Sequence, residues 1–221
     1  MPSPLTHTVL KEKQRALRDG FPETVGLRVH RSISWIGRAE QTTDDPDARF
    51  LFLWIAFNAA YAEGGEPKAW EYGERSAFGD FFDRIVALDN DARIRKALLE
   101  RFSGPIASLL KNRFVFHPFW QYHNGIKGYD GWKSRFHASL RKFAEVFKAG
   151  DTARVLCFVF DRLYVLRNQM IHGGATWNSE VNRAQVTDGA DILGFLVPVF
   201  VDIMIDNPAE DWGRPFYPVV S

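Results

Sequence analysis

The stretch from Asp45 to Ala62 limits the possible folds more than any other part of the chain. Asp45 is a helix-capping residue type, Pro46 suits the first helical position, and Asp47 complements the positive end of the helix dipole. The helix they open, over about 46–62, is apolar nearly all round, with Leu51, Leu53, Trp54, Ile55 and Phe57 pointing in different directions. Such a helix has to be surrounded by other elements. The apolar run from Phe50 to Ala62 is shorter than the ~20 residues needed to cross a bilayer. It therefore predicts the centre of a helical bundle, with no membrane involved.

The rest of the chain also reads as helix, with turn residues between blocks and almost no alternating Val, Ile and Thr. Helices are predicted at about 23–41, 76–88, 91–102 and 106–116, then from Asp130, and at about 151–172 and 188–206. In the helix after Asp130, Trp132, Phe136, Leu140, Phe143 and Phe147 recur at three- or four-residue spacing. Gly64, Gly65 and Pro67 break the chain, Gly173-Gly174 ends the 151–172 helix, and Asn207-Pro208 ends the last one. His117 to Gly131, with Pro118, Gly125 and Gly128, reads as a long functional loop. The economical architecture is all-α: one helical-bundle domain of seven or eight helices over 23–206. A charged N-terminal stretch, 1–22, precedes it as an arm or a short helix, and a short extended tail, 207–221, packs back as a strap through Trp212, Phe216 and Tyr217.

Cys157 is the single cysteine, so no intrachain disulfide can form, and a reducing compartment is the default. The first thirty residues hold no continuous apolar segment of the kind a signal peptide needs, which predicts a soluble, cytoplasmic protein. Net charge is +1, yet residues 91–172 carry 15 Lys and Arg against 6 Asp and Glu, while 173–221 carry 2 against 7. A basic middle suits phosphates if the fold gathers its charges on one surface; otherwise it is a set of solvated helix faces.

Chemistry concentrates at the end of the 151–172 helix. At ~100° per residue, Val155, Val159, Leu163, Leu166 and Met170 form one stripe, which predicts the core face. Asn168 and His172 fall on the opposite side with Cys157, Asp161 and Val165. Arg167 lies between the two, with a side chain long enough to swing toward His172. Apolar residues on more than one face predict packing against a second surface as well as the protomer core.

The run Arg167-Asn168-Gln169-Met170-Ile171-His172, followed by Gly173, resembles the Arg-Asn/Asp-x-x-x-His motif of the HEPN superfamily (higher eukaryotes and prokaryotes nucleotide-binding). The segment Phe52 to Tyr61, with Asn58 among aromatics, is similar to the Asn-bearing helix of the Apea-like branch. The resemblance implies a HEPN-like fold and a metal-independent endoribonuclease whose site forms where two protomers meet, with Arg167, Asn168 and His172 catalytic. It also implies a toxin or antiviral-defence effector, with an antitoxin or regulatory protein as a further partner. The residue types fit: RNA carries its own nucleophile in the 2′-hydroxyl, His moves protons, and Arg grips phosphate. A domain of this pattern can also be a non-catalytic helical module that binds RNA, a nucleotide or a protein. On residue types alone, His172 in a last helical turn and Gly173-Gly174 after it serve a purely structural end equally well.

Asn58 either approaches the motif helix or satisfies a buried backbone group, and Glu40 and Tyr61 are further possible neighbours. Lys133, Arg135, Arg141 and Lys142 are candidates for holding the RNA backbone, and Phe116, Phe119, Trp120, Tyr122 and Tyr129 for stacking bases or packing. His117 and His123 lack a carboxylate at metal-ligand spacing, so neither a metal nor another cofactor is expected.

Overall fold

The computed structural model describes residues 5–62, 78–215 and 217–219. These residues form ten α-helices and no strand: α1 (His7–Leu17), α2 (Glu23–Glu40), α3 (Pro46–Tyr61), α4 (Gly79–Leu88), α5 (Arg93–Lys96), α6 (Ser103–Lys111), α7 (His117–His123), α8 (Trp132–Ala149), α9 (Thr152–Ile171) and α10 (Arg183–Asp206). The all-α reading holds. The expected break at Gly64, Gly65 and Pro67, the first residues of the 76–88 helix, and Phe216 lie outside the described residues.

The apolar helix is central. Asp45 accepts from Ala48 N at 3.0 Å to cap α3, and α3 then packs between α2 and α10. Phe57, fully buried, meets Tyr61, Phe78, Phe82, Phe160 and Phe200, so its ring joins α3 to α4, α9 and α10. Ser32 lets α2 approach closely by donating to Ala56 O at 2.6 Å.

The N-terminal stretch, read as either an arm or a short helix, contains the helix α1, whose Leu10 is fully buried against α2 and α10. One segment differs from the sequence reading. The segment His117–Gly131 is not loop throughout: α7 occupies its first half because Pro118 sits in a first-turn position, where its missing N–H costs nothing. Only the turn after it, with Gly125 and Gly128 at φ +75 and +87, is irregular. The tail does fold back: Trp212 is buried, and Arg28, itself buried, donates to Ala60 O, Ala62 O and Arg214 O, joining the end of α3 to the strap.

Candidate functional site

The motif sits where α9 stops. Asp151 caps the start of α9, accepting from Arg154 N at 3.1 Å. At the other end Gly173 takes φ +72 and Gly174 N donates to Gln169 O at 2.7 Å, a glycine-stopped helix terminus. A Cβ on Gly174 would lie 3.2 Å from that carbonyl oxygen, a tight contact that the second glycine avoids. This stop leaves His172 exposed at the helix end, with Arg167 and Asn168 half-buried one turn earlier.

Among the described residues, Arg167 makes no hydrogen bond to His172. Its Nη1 donates to Asn168 Oδ1 at 2.9 Å, and its buried Nε has no hydrogen-bond partner among the described residues. The Tyr61 phenol lies within electrostatic reach of Arg167; burial pushes it up to about 12, Tyr164 adds to the rise, and Arg167 opposes it. The phenol is therefore neutral at physiological pH. Asn58 is a different case: its backbone carbonyl accepts from Ala62 N, and among the described residues its side chain makes no hydrogen bond to the motif. Glu40 is occupied elsewhere, accepting from His7 N at 2.7 Å to cap α1.

The residue inside the motif that organises its surroundings is Gln169. Its Nε2 donates to Phe114 O at 2.5 Å, and its Oε1 accepts from Asn182 Nδ2 at 3.1 Å. Asn182 Oδ1 accepts from Asn112 Nδ2 at 3.0 Å, and Asn112 Oδ1 accepts from Phe114 N at 2.8 Å. Three side-chain amides thus form a closed ring that holds both polar groups of Phe114, tying the end of α9 to the turn before α7 and to the start of α10. Sequence reasoning passed over Asn112, Phe114, Gln169 and Asn182. Their partners are up to 70 positions away, and no local spacing announces them.

The basic candidates lie on α8, which runs antiparallel to α9, as Phe143 against Phe158 and Arg162 Nη2 to Ser139 Oγ place them. The first turns of α8 are therefore level with the last turns of α9. Lys133 and Arg135 are at this end, while Arg141 and Lys142 are further from His172; all four are exposed. They do not form one stripe. With ~100° per residue, Lys133 and Arg141 fall on one flank of the Trp132–Phe136–Phe143 seam and Arg135 and Lys142 on the other.

The several apolar faces of α9 are used within the protomer, because α9 packs against α4, α6 and α8, and Val165 is buried. The open surface near the motif includes Ile171, His172 and the loop carrying Trp177 and Val181. Trp177 is anchored through its indole N–H to Asp45 Oδ2 at 3.1 Å. The gap beneath that loop, lined by Leu166, Gln169, Arg183 and others, amounts to about 10 Å³, enough for one water at most. A ligand of His172 meets it at the surface.

Phe116, Phe119 and Trp132 are buried in a small cluster of their own, with Trp120 and Phe136 packed against it, so packing is their role; Tyr122 is exposed. His117 bonds Gln121 at 2.8 Å, the His123 ring lies tilted against Phe119, and no group of three His, Cys, Asp or Glu able to hold a metal occurs among the described residues. No described helix is long and apolar enough to cross a membrane. No protein-family model, curated protein or solved structure matches the chain.

Proposed function

We propose that this chain is a metal-independent endoribonuclease of HEPN type that acts on RNA as a homodimer, in the manner of a toxin or antiviral-defence effector. The observation that carries the reading is the end of α9: an exposed His172 one turn beyond an Arg167–Asn168 pair, with the guanidinium turned to an amide oxygen instead of a carboxylate. A guanidinium held by a neutral amide retains its attraction for phosphate. His172 removes the 2′-hydroxyl proton, the 2′-oxygen attacks phosphorus, and the bond to the 5′-oxygen breaks. That oxygen takes up a proton, leaving a 2′,3′-cyclic phosphate and a free 5′-hydroxyl. Arg167 binds the phosphate oxygens as charge builds on them.

In a dimer that brings together two α9 ends, the two copies of His172 divide the proton removal and the proton delivery. The open surface at Ile171, His172 and Trp177 is where a second copy would approach. The test is incubation of end-labelled single-stranded RNA with the protein in EDTA, followed by analysis of the new ends. Cyclic phosphate termini are the expected product. A requirement for added magnesium contradicts the reading, as does sedimentation as a monomer under the conditions of cleavage.

A further inference from the structure

We infer that the Arg113–Phe114 turn is a nucleotide-binding subsite beside His172, in which the Phe114 ring stacks on an unpaired base of single-stranded RNA and Arg113 meets a phosphate. The inference rests on the ribonuclease reading and adds to it the residues that hold the chain next to the cut.

Position comes first. Gln169 and His172 are three residues apart and so are neighbours on one side of α9. The Gln169 amide holds the Phe114 carbonyl, which ties the turn to the last turn of α9, just ahead of the exposed His172. Trp120 Nε1 donates to the same carbonyl at 2.7 Å, so the turn is fixed from a second side.

Phe114 also has the form of a platform. Its backbone is clamped at both N–H and C=O, yet the residue is 39% exposed in a chain that buries most of its phenylalanines. The ring meets Phe119 at 5.3 Å with the two planes nearly perpendicular, and the Arg113 guanidinium lies over it, 5.0 Å from its centre. A rigid aromatic face beside a cation on a long side chain is what a single strand uses, one part for the base and the other for the backbone.

Charge selects a nucleic acid over a protein as the occupant. Residues 111–142 contain seven Lys and Arg and one acidic residue, Asp130. The same pairing of cation and aromatic recurs nearby, with Lys133 at 5.9 Å from the Trp132 ring and Arg135 at 5.2 Å from that of Tyr129. Stacking accepts every base, because each has a π-face, so the subsite selects unpaired RNA without selecting a sequence.

The probe is a fluorescein-labelled 2′-O-methyl oligoadenylate, which binds but cannot be cut because its nucleophile is blocked. Phe114→Ala is expected to weaken its binding about 5- to 150-fold, the range for removing one base stack, and Phe114→Trp to restore it. Arg113→Ala should lower the slope of log K against log salt by ~0.7, one phosphate neutralised. An abasic version of the probe, used on the unaltered protein, should bind more weakly to the same degree and be indifferent to Phe114→Ala. Equal affinity of wild type, Phe114→Ala and Arg113→Ala for the adenylate probe overturns the subsite while leaving the nuclease reading in place. A change of oligomeric state in Phe114→Ala without a change in affinity also overturns it, assigning the ring to a second copy. Failure of the wild type to bind or cut any RNA removes the nuclease reading, and the subsite with it.

Discussion

Arg167 donates from Nη1 to the Oδ1 of its neighbour Asn168 at 2.9 Å, an arrangement in which one motif residue fixes the direction of another. The bond orients the planar guanidinium without neutralising its charge. Lysine keeps the charge but loses the plane and the fork. Arg167→Lys is therefore expected to lower kcat/KM for RNA by about 10- to 100-fold, since a hydrogen bond to a charged group contributes roughly 1.5–3 kcal/mol. Steady-state cleavage kinetics with circular dichroism as a control for folding check this. Wild-type kinetics in Arg167→Lys would remove the guanidinium geometry from the mechanism.

Asp161 lies on the same side of α9 as Asn168, and its buried Oδ1 has no hydrogen-bond partner among the described residues. Burial raises its carboxyl from 3.8 to about 7, with Arg162 opposing the rise. The folded state therefore binds a proton more tightly than the unfolded chain. Stability is greatest below the unfolded value, falls as pH rises from about 4 to about 7, and stays reduced above that. Asp161→Asn removes the titration and should raise Tm at pH 8 while changing it little at pH 4. Thermal melts of both proteins across that range are the measurement, and parallel pH profiles would contradict the assignment.

Phe57 joins α3 to three other helices through ring contacts and has no exposure to solvent. Phe57→Ala is expected to cost about 3–5 kcal/mol, the range for emptying a buried aromatic site. Urea denaturation measures the effect. A cost below about 1 kcal/mol would mean that the aromatic centre is not the packed core described here.

Neutralising Lys133 and Arg135 should weaken RNA binding more than neutralising Arg141 and Lys142, because the antiparallel α8–α9 pair places the first two level with the motif. For single strands, the salt slope falls by ~0.7 for every phosphate that a variant no longer neutralises. Titrations of both double variants at several salt concentrations decide the matter. Equal and unchanged slopes would assign α8 to solvation or to an acidic protein partner.

The elements were legible where one signal dominated. Asp45-Pro46 announced α3, Gly173-Gly174 announced the end of α9, and the Trp132–Phe147 periodicity announced α8. Two kinds of feature were not legible. The α1 helix could not be told from a charged arm because its polar and charged residues outnumber its apolar ones, and only tertiary contact with α2 and α10 buries Leu10. The amide ring around Phe114 was hidden because Asn112, Gln169 and Asn182 are ordinary polar residues until the fold brings three separate segments together. Arg167, Asn168 and His172 could be picked out because they share one helix end; that Arg167 bonds Asn168 and not His172 depends on rotamers, which sequence does not encode locally.

The most direct measurement is cleavage of single-stranded RNA in EDTA by the wild type and by His172→Ala. His172 is exposed beyond the last turn of α9, so its removal should leave the melting temperature unchanged. The expected result is complete loss of cleavage with retained RNA binding. Full activity in His172→Ala, or no activity in the wild type against any single-stranded RNA, would contradict the proposed function.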